Sequence, residues 1–188
     1  YVIPAKAAET LIKKGFGKLS PMATSEESAR HFSLLDTFDC VIAASGRLLF
    51  STGEALELIT GEAGPLKQPH FSGEKFVADL PEGAVKLALC DVSPVRALLP
   101  VGSGEMQEVG LVFLDDEKKT RVRGRVLYLK SDCGKSLVLV MLQGLRGYAK
   151  ALAQVRAQLV DLGGAQVSDS AIYATLFPDR PVYKAKPD

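Results

Sequence analysis

The sequence predicts an α+β fold, an antiparallel sheet with helices at the start, in the middle and at the C-terminal end. Two observations carry this prediction. Between residues 95 and 143, three strand-like segments are separated by Asp115-Asp116-Glu117-Lys118 and by Ser131-Asp132-Cys133-Gly134, and both separators have turn composition. Strand, turn, strand, turn, strand reads as an antiparallel meander. The period then changes. Tyr148, Leu152, Val155, Leu159 and Leu162 recur at steps of four, three, four and three, one face of an amphipathic helix of about four turns.

The remaining elements follow from local signals. Pro4 suits the first turn of a helix whose stripe is Ala7, Ala8, Leu11 and Ile12, with Lys13-Lys14-Gly15 as its stop. His31 to Asp36 reads as a strand. Ser45-Gly46 turns the chain into the short strand Arg47 to Phe50, and Thr52-Gly53 turns it again into Ala55 to Thr60. Residues 61 to 82 hold several Gly and Pro residues and read as irregular or weakly paired. Ala84 to Cys90 predicts a helix that ends near Asp91 and Pro94. Leu137 to Leu142 is apolar on both faces, which predicts a central strand covered on both sides, one side by the helix carrying Leu152, Val155 and Leu159. Gly163-Gly164 ends that helix. Ser168 is positioned to cap a further short helix through Leu176, stopped by Pro178.

Composition excludes several classes. The chain has 188 residues, 47% hydrophobic and 24% charged, as in an ordinary globular domain. A net charge of +1 gives no whole-chain signal for a nucleic-acid or membrane partner. No apolar run approaches the roughly 18 residues of a spanning helix. The start Tyr1-Val2-Ile3-Pro4 has neither an initiator Met nor a signal-peptide pattern, and reads as cut from something longer. Cys40, Cys90 and Cys133 are odd in number and widely spaced, which argues against a disulfide framework or a Cys-x-x-Cys knuckle and favours a reducing, cytoplasmic setting.

Three apparent motifs fail on spacing. Gly134-Lys135-Ser136 ends like a phosphate-binding loop, but Leu129 stands where that motif needs Gly, and β-formers follow where it needs a helix. Gly15-Phe16-Gly17 lacks the third Gly of a dinucleotide site. His31 and His70 have no Cys or His at metal-ligand spacing.

Other segments stand in a telling order: Leu34-Leu35-Asp36-Thr37-Phe38-Asp39, then Gly46-Arg47-Leu48-Leu49-Phe50, then Val109 to Arg125 around an acidic turn, then Leu145-Arg146-Gly147-Tyr148. Together they resemble the CYTH family, the triphosphate tunnel metalloenzymes, and within it the divergent CYTH-like domain that precedes a helical CHAD domain in some bacterial proteins. The resemblance covers about residues 1 to 165. It implies that the antiparallel sheet is a β-barrel or half-open tunnel over 1–145. It also implies C-terminal helices at 146–178 packed on the same domain, and a linker at 179–188 toward a downstream CHAD domain.

Triphosphate carries several negative charges, so a tunnel for it needs many inward Lys and Arg side chains, and carboxylates for Mg²⁺ or Mn²⁺. This chain departs from that pattern. The sequence begins at Tyr1, about where the family's N-terminal Glu-x-Glu-x-Lys strand is expected to end, so that motif is not among these residues. The family's Arg-x-Arg station is Leu49-Phe50-Ser51, its basic run is Gln107-Glu108-Val109-Gly110, and its final Glu-x-Glu strand is Leu139-Val140-Met141-Leu142. No catalytic residue and no metal ligand is assigned. Apolar side chains at those stations cannot offset a triphosphate's charge.

One basic feature remains. Arg121, Arg123 and Arg125 alternate along one strand and share a face, about 6.6 Å apart, with Arg47 and Arg96 in neighbouring predicted strands. These five are the candidate anion-binding residues, because guanidinium forks suit phosphate oxygens. The alternative is a solvated sheet face paired with acids such as Glu108 and Asp116. The expected function is a degenerate, non-catalytic CYTH-like binding or scaffolding domain with a polyphosphate-related role, which the resemblance to CHAD-linked proteins implies. Two alternatives stand beside it: a metal-dependent inorganic triphosphatase using Mg²⁺ or Mn²⁺ whose N-terminal carboxylate strand is truncated here, and a purely structural partner of a CHAD domain.

Overall fold

The structure is a computed structural model that describes residues 1–60, 65–69 and 75–179. His70 and the expected linker from residue 180 onward lie outside the described residues. The chain runs β1 (Val2–Ile3), α1 (Ala5–Lys13), β2 (Ser20–Glu26), β3 (Arg30–Asp36), α2 (Val41–Ala44), β4 (Arg47–Ser51), β5 (Ala55–Thr60), β6 (Leu66–Pro69), α3 (Ala84–Ala88), β7 (Leu99–Leu114), β8 (Thr120–Ser131), β9 (Ser136–Gly144), α4 (Ala149–Asp161) and α5 (Asp169–Leu176). The fold is α+β with a mostly antiparallel sheet and flanking helices. It corrects one expectation, because the sheet is not closed into a barrel. Among the described residues, the only named strand paired with β1 is β9, and the only one paired with β6 is β5. No described helix is long and apolar enough to cross a membrane.

Two compact units divide the chain. The first comprises Tyr1–Ala29, Met106–Lys130 and Ser136–Val167. Its strands run in the order β1-β9-β8-β7, with β2 also on β7. The expected meander is present, and β8 pairs β9 antiparallel from Val122↔Gly144 to Lys130↔Ser136. Strand β9 is interior, with β1 on its other edge through Val2↔Leu139 and Ile3↔Val138. Leu137 to Val140 are buried on both faces, as their unbroken apolar run requires. Val138 and Val140 share a core with Ala8 and Leu11 of α1, Val122 and Val126 of β8, and Val155 and Leu159 of α4. Pro4 caps α1 in extended backbone, and its carbonyl accepts from Ala7 N and Ala8 N. Strand β2, Ser-Pro-Met-Ala-Thr-Ser-Glu, is almost wholly exposed and offers no period-2 apolar signal. Its only named partner among the described residues is β7, and Pro21 suits such an edge.

The second unit holds Arg30–Glu105, Ser131–Lys135 and the chain from Ser168 on. Strands β3, β4, β5 and β6 form consecutive antiparallel pairs. Strand β6 lies inside the stretch expected to be irregular; buried Gln68 explains its order. The Gln68 side chain donates to Pro81 O at 2.8 Å and accepts from Lys86 N at 3.2 Å, tying the strand to α3. A separate apolar core joins Ile42, Leu49, Leu56, Leu58, Val85 and Leu89. Ser168 caps α5 as expected, its hydroxyl accepting from Ala171 N at 3.3 Å. Gly134, at φ 81, supplies the left-handed residue of the β8–β9 turn, and Ser136 opens β9 rather than a helix, so Gly134-Lys135-Ser136 is a hairpin turn.

Candidate anion-binding face

Strand β8 pairs in regular register, so its side chains alternate. Val122 and Val126 enter the first unit's core and are fully buried, which leaves Arg121, Arg123 and Arg125 together on the opposite face. Their environments differ. Arg121 donates from Nε to Asp115 Oδ2 at 2.6 Å, and a terminal nitrogen also meets that oxygen. The Arg121 guanidinium carbon lies 4.2 Å from the Tyr148 ring centroid, a cation–π stack. Arg125 grips Glu108 with two bonds of 2.5 Å, and Glu108 is 7% exposed. Arg123, between them, is exposed and stands opposite Gln143 of β9. No hydrogen bond or ion pair holds its side chain among the described residues.

The hairpin tip prepares the Arg121 partner. Asp115 Oδ1 accepts from Glu117 N at 3.0 Å and Lys119 N at 2.9 Å, a side-chain-closed turn. The Lys119 amide, with the Arg121 guanidinium, holds the Asp115 carboxyl below the usual carboxylate range. The acid expected at this place was Asp116. It is Asp115 that the turn directs inward, while Asp116 is exposed.

Arg47 and Arg96 belong to the second unit, and each has its own acid. Arg47 donates to both oxygens of Asp91 at 2.9 and 2.7 Å and to Ala88 O at 2.7 Å. The Arg47 hydrogen bonds, and then its charge, hold the Asp91 carboxyl below the ordinary range. Arg96 is not in a strand as expected but in the turn that precedes β7, and it pairs with Asp39 at 2.9 Å. Within its unit, each is a clasp rather than an open anion contact.

The Asp36-Thr37 segment is also occupied locally. Asp36 is 2% exposed, and its carboxylate accepts from Thr37 N, Ile42 N and Ala43 N at 2.7 to 2.9 Å, which anchors the start of α2. Burial holds its pKa above the usual carboxylate range, and the three amides offset only part of that rise. Among the described residues, no three His, Cys, Asp or Glu side chains are placed to hold a metal ion.

Sequence reasoning missed Tyr148 as a partner of Arg121, although it singled out Leu145-Arg146-Gly147-Tyr148. An aromatic residue just past β9, opposite an Arg strand, was the available signal. The chain matches no family model and no curated protein. The CYTH-like resemblance therefore rests on the quoted residues alone.

Proposed function

We propose that this chain is a non-catalytic binding domain of CYTH-like descent whose β8 face takes a polyanion of the polyphosphate class. The observation that carries the reading is Arg123, exposed and without an acidic partner, on the face it shares with Arg121 and Arg125. Its surroundings support it. Helix α4 starts beside Tyr148 with no side-chain cap and no acid in its first turn, so no side chain there offsets its positive end. Arg146 and Lys150, near that start in sequence, are exposed. The non-catalytic part rests on the apolar residues Leu139, Val140 and Leu142, which stand where the family carries charges. The half-open tunnel, the CHAD neighbour and the cytoplasmic setting belong to the same reading and rest on the resemblance and the cysteine usage.

A second reading, a structural partner domain without a small ligand, is favoured by a specific observation: Arg47, Arg96, Arg121 and Arg125 all have carboxylate partners. Titration of labelled polyphosphate at low ionic strength separates the two. On the proposed function, the wild-type chain binds, Arg123→Gln weakens binding several-fold, and no orthophosphate is released. No binding at low salt would favour the structural reading. Orthophosphate release from tripolyphosphate with Mg²⁺ would favour the triphosphatase.

A further inference from the structure

We propose that Asp115 is a built-in competitor of the polyanion for Arg121, and that it sets how many phosphates the β8 face engages. The inference rests on the polyanion-binding reading of this face. The planar Arg121 guanidinium has two faces and two donor edges, one formed by Nε with a terminal nitrogen and one by the two terminal nitrogens. Tyr148 lies against a face, and the Asp115 carboxylate takes the Nε edge. Carboxylate and phosphate use such an edge in the same geometry. A phosphate cannot take that edge while Asp115 holds it, and at the remaining edge it meets a guanidinium whose charge Asp115 already offsets.

Asp115 does not depend on Arg121 for its position. Its other oxygen is fixed by the Glu117 and Lys119 amides, so the carboxylate stays at the hairpin tip when the arginine turns away. Both partners remain solvent-accessible, with side chains 20% and 17% exposed, so an incoming phosphate can reach the pair. The neighbouring Lys119 has its own exposed acid, Glu117, at 2.6 Å. Along the face, Arg121 is offset by Asp115 and Arg125 by Glu108, which leaves the single charge of Arg123. Of the three β8 arginines, about one is then left to neutralise a phosphate of the chain. Each further neutralised phosphate steepens the salt dependence by about 0.7 in the slope of log affinity on log salt, the value for single-stranded nucleic acids.

Asp115→Asn tests this. The amide oxygen still accepts from the turn, while the amide NH2 that replaces the other oxygen is a donor and cannot hold the guanidinium, so the competing charge and its hydrogen bonds to Arg121 go together. Asp116→Asn removes the same charge from an exposed neighbour that does not pair with Arg121, and is the control. Labelled polyphosphate is titrated against the full chain over a range of salt. The expected result is that Asp115→Asn binds several-fold tighter with a slope steeper by about 0.7, while Asp116→Asn stays near wild type. Adding Arg121→Gln to Asp115→Asn should abolish the gain. Asp115→Ser, which also closes the turn without charge, serves if the Asn variant misfolds by circular dichroism. If Asp115→Asn and Asp116→Asn behave alike while Arg123→Gln still weakens binding, the competition is refuted and the binding face stands. If wild type and Arg123→Gln both ignore polyphosphate, the binding face is refuted and the competition with it.

Discussion

Replacing Val140 with Asp tests the interior of the first unit. Val140 is 1% exposed, faces Val126 across the ladder and shares a core with Val155 and Leu159. Losing the isopropyl group forfeits about 2 kcal/mol of burial. The new carboxyl has no evident partner there, so burial pushes its pKa up. Keeping it ionised at neutral pH costs about 4 kcal/mol. The sum, roughly 6 kcal/mol, rivals the whole stability of a typical domain. For a chain of this size it lowers Tm by more than about 10 °C. Thermal and urea melts followed by far-UV circular dichroism read the effect, with Val140→Ala expected to lose only the burial part. The sign with pH is fixed. A raised folded-state pKa makes the penalty largest above that pKa, and it shrinks as pH falls toward the unfolded value. A Tm change of about a degree in the Asp variant would show that β9 is not buried as described and refute the reasoning.

Three further outcomes are expected. Gly102→Ala would drive a methyl group into the Phe177 ring, and should lower the Tm while leaving the β8 face unaffected in polyanion titration. The Arg47–Asp91 pair lowers the folded pKa of Asp91, so its contribution is present above about pH 3.9 and is lost as pH falls through the folded value. Because Asp91 is largely exposed, the amount is at most about 1 kcal/mol, and urea melts between neutral and acid pH should show Asp91→Asn losing that dependence. Calorimetric titration with Mn²⁺ should show no stoichiometric sub-millimolar site, since no set of paired carboxylates stands on β9.

The sequence made the periodic parts of the fold legible. Strand β5, the β7–β8–β9 meander, α4 and the Ser168-capped α5 all carry an apolar period or a cap that local chemistry explains. Strand β2 was hidden because an exposed edge strand needs no apolar alternation, and β6 because a single buried glutamine, Gln68, supplies its order through contacts distant in sequence. The shared face of Arg121, Arg123 and Arg125 was readable from strand alternation. Their partners were not, because pairing depends on which acid a turn points inward, Asp115 or Asp116. This matters for mutagenesis. The alternation alone suggests that all three arginines can become Gln without cost, but Arg125 neutralises the buried Glu108, and removing it takes away a countercharge of that carboxylate. Arg123 is the position where charge can be removed without disturbing a pair.

Polyphosphate binding by wild type and Arg123→Gln, compared across salt with orthophosphate release followed in the same samples, tests the central claim most directly. Wild type should bind at low salt, weaken as salt rises and release no orthophosphate, and Arg123→Gln should bind several-fold more weakly with an unchanged melting curve. Equal affinity of the two proteins, or hydrolysis by the wild type, would contradict it.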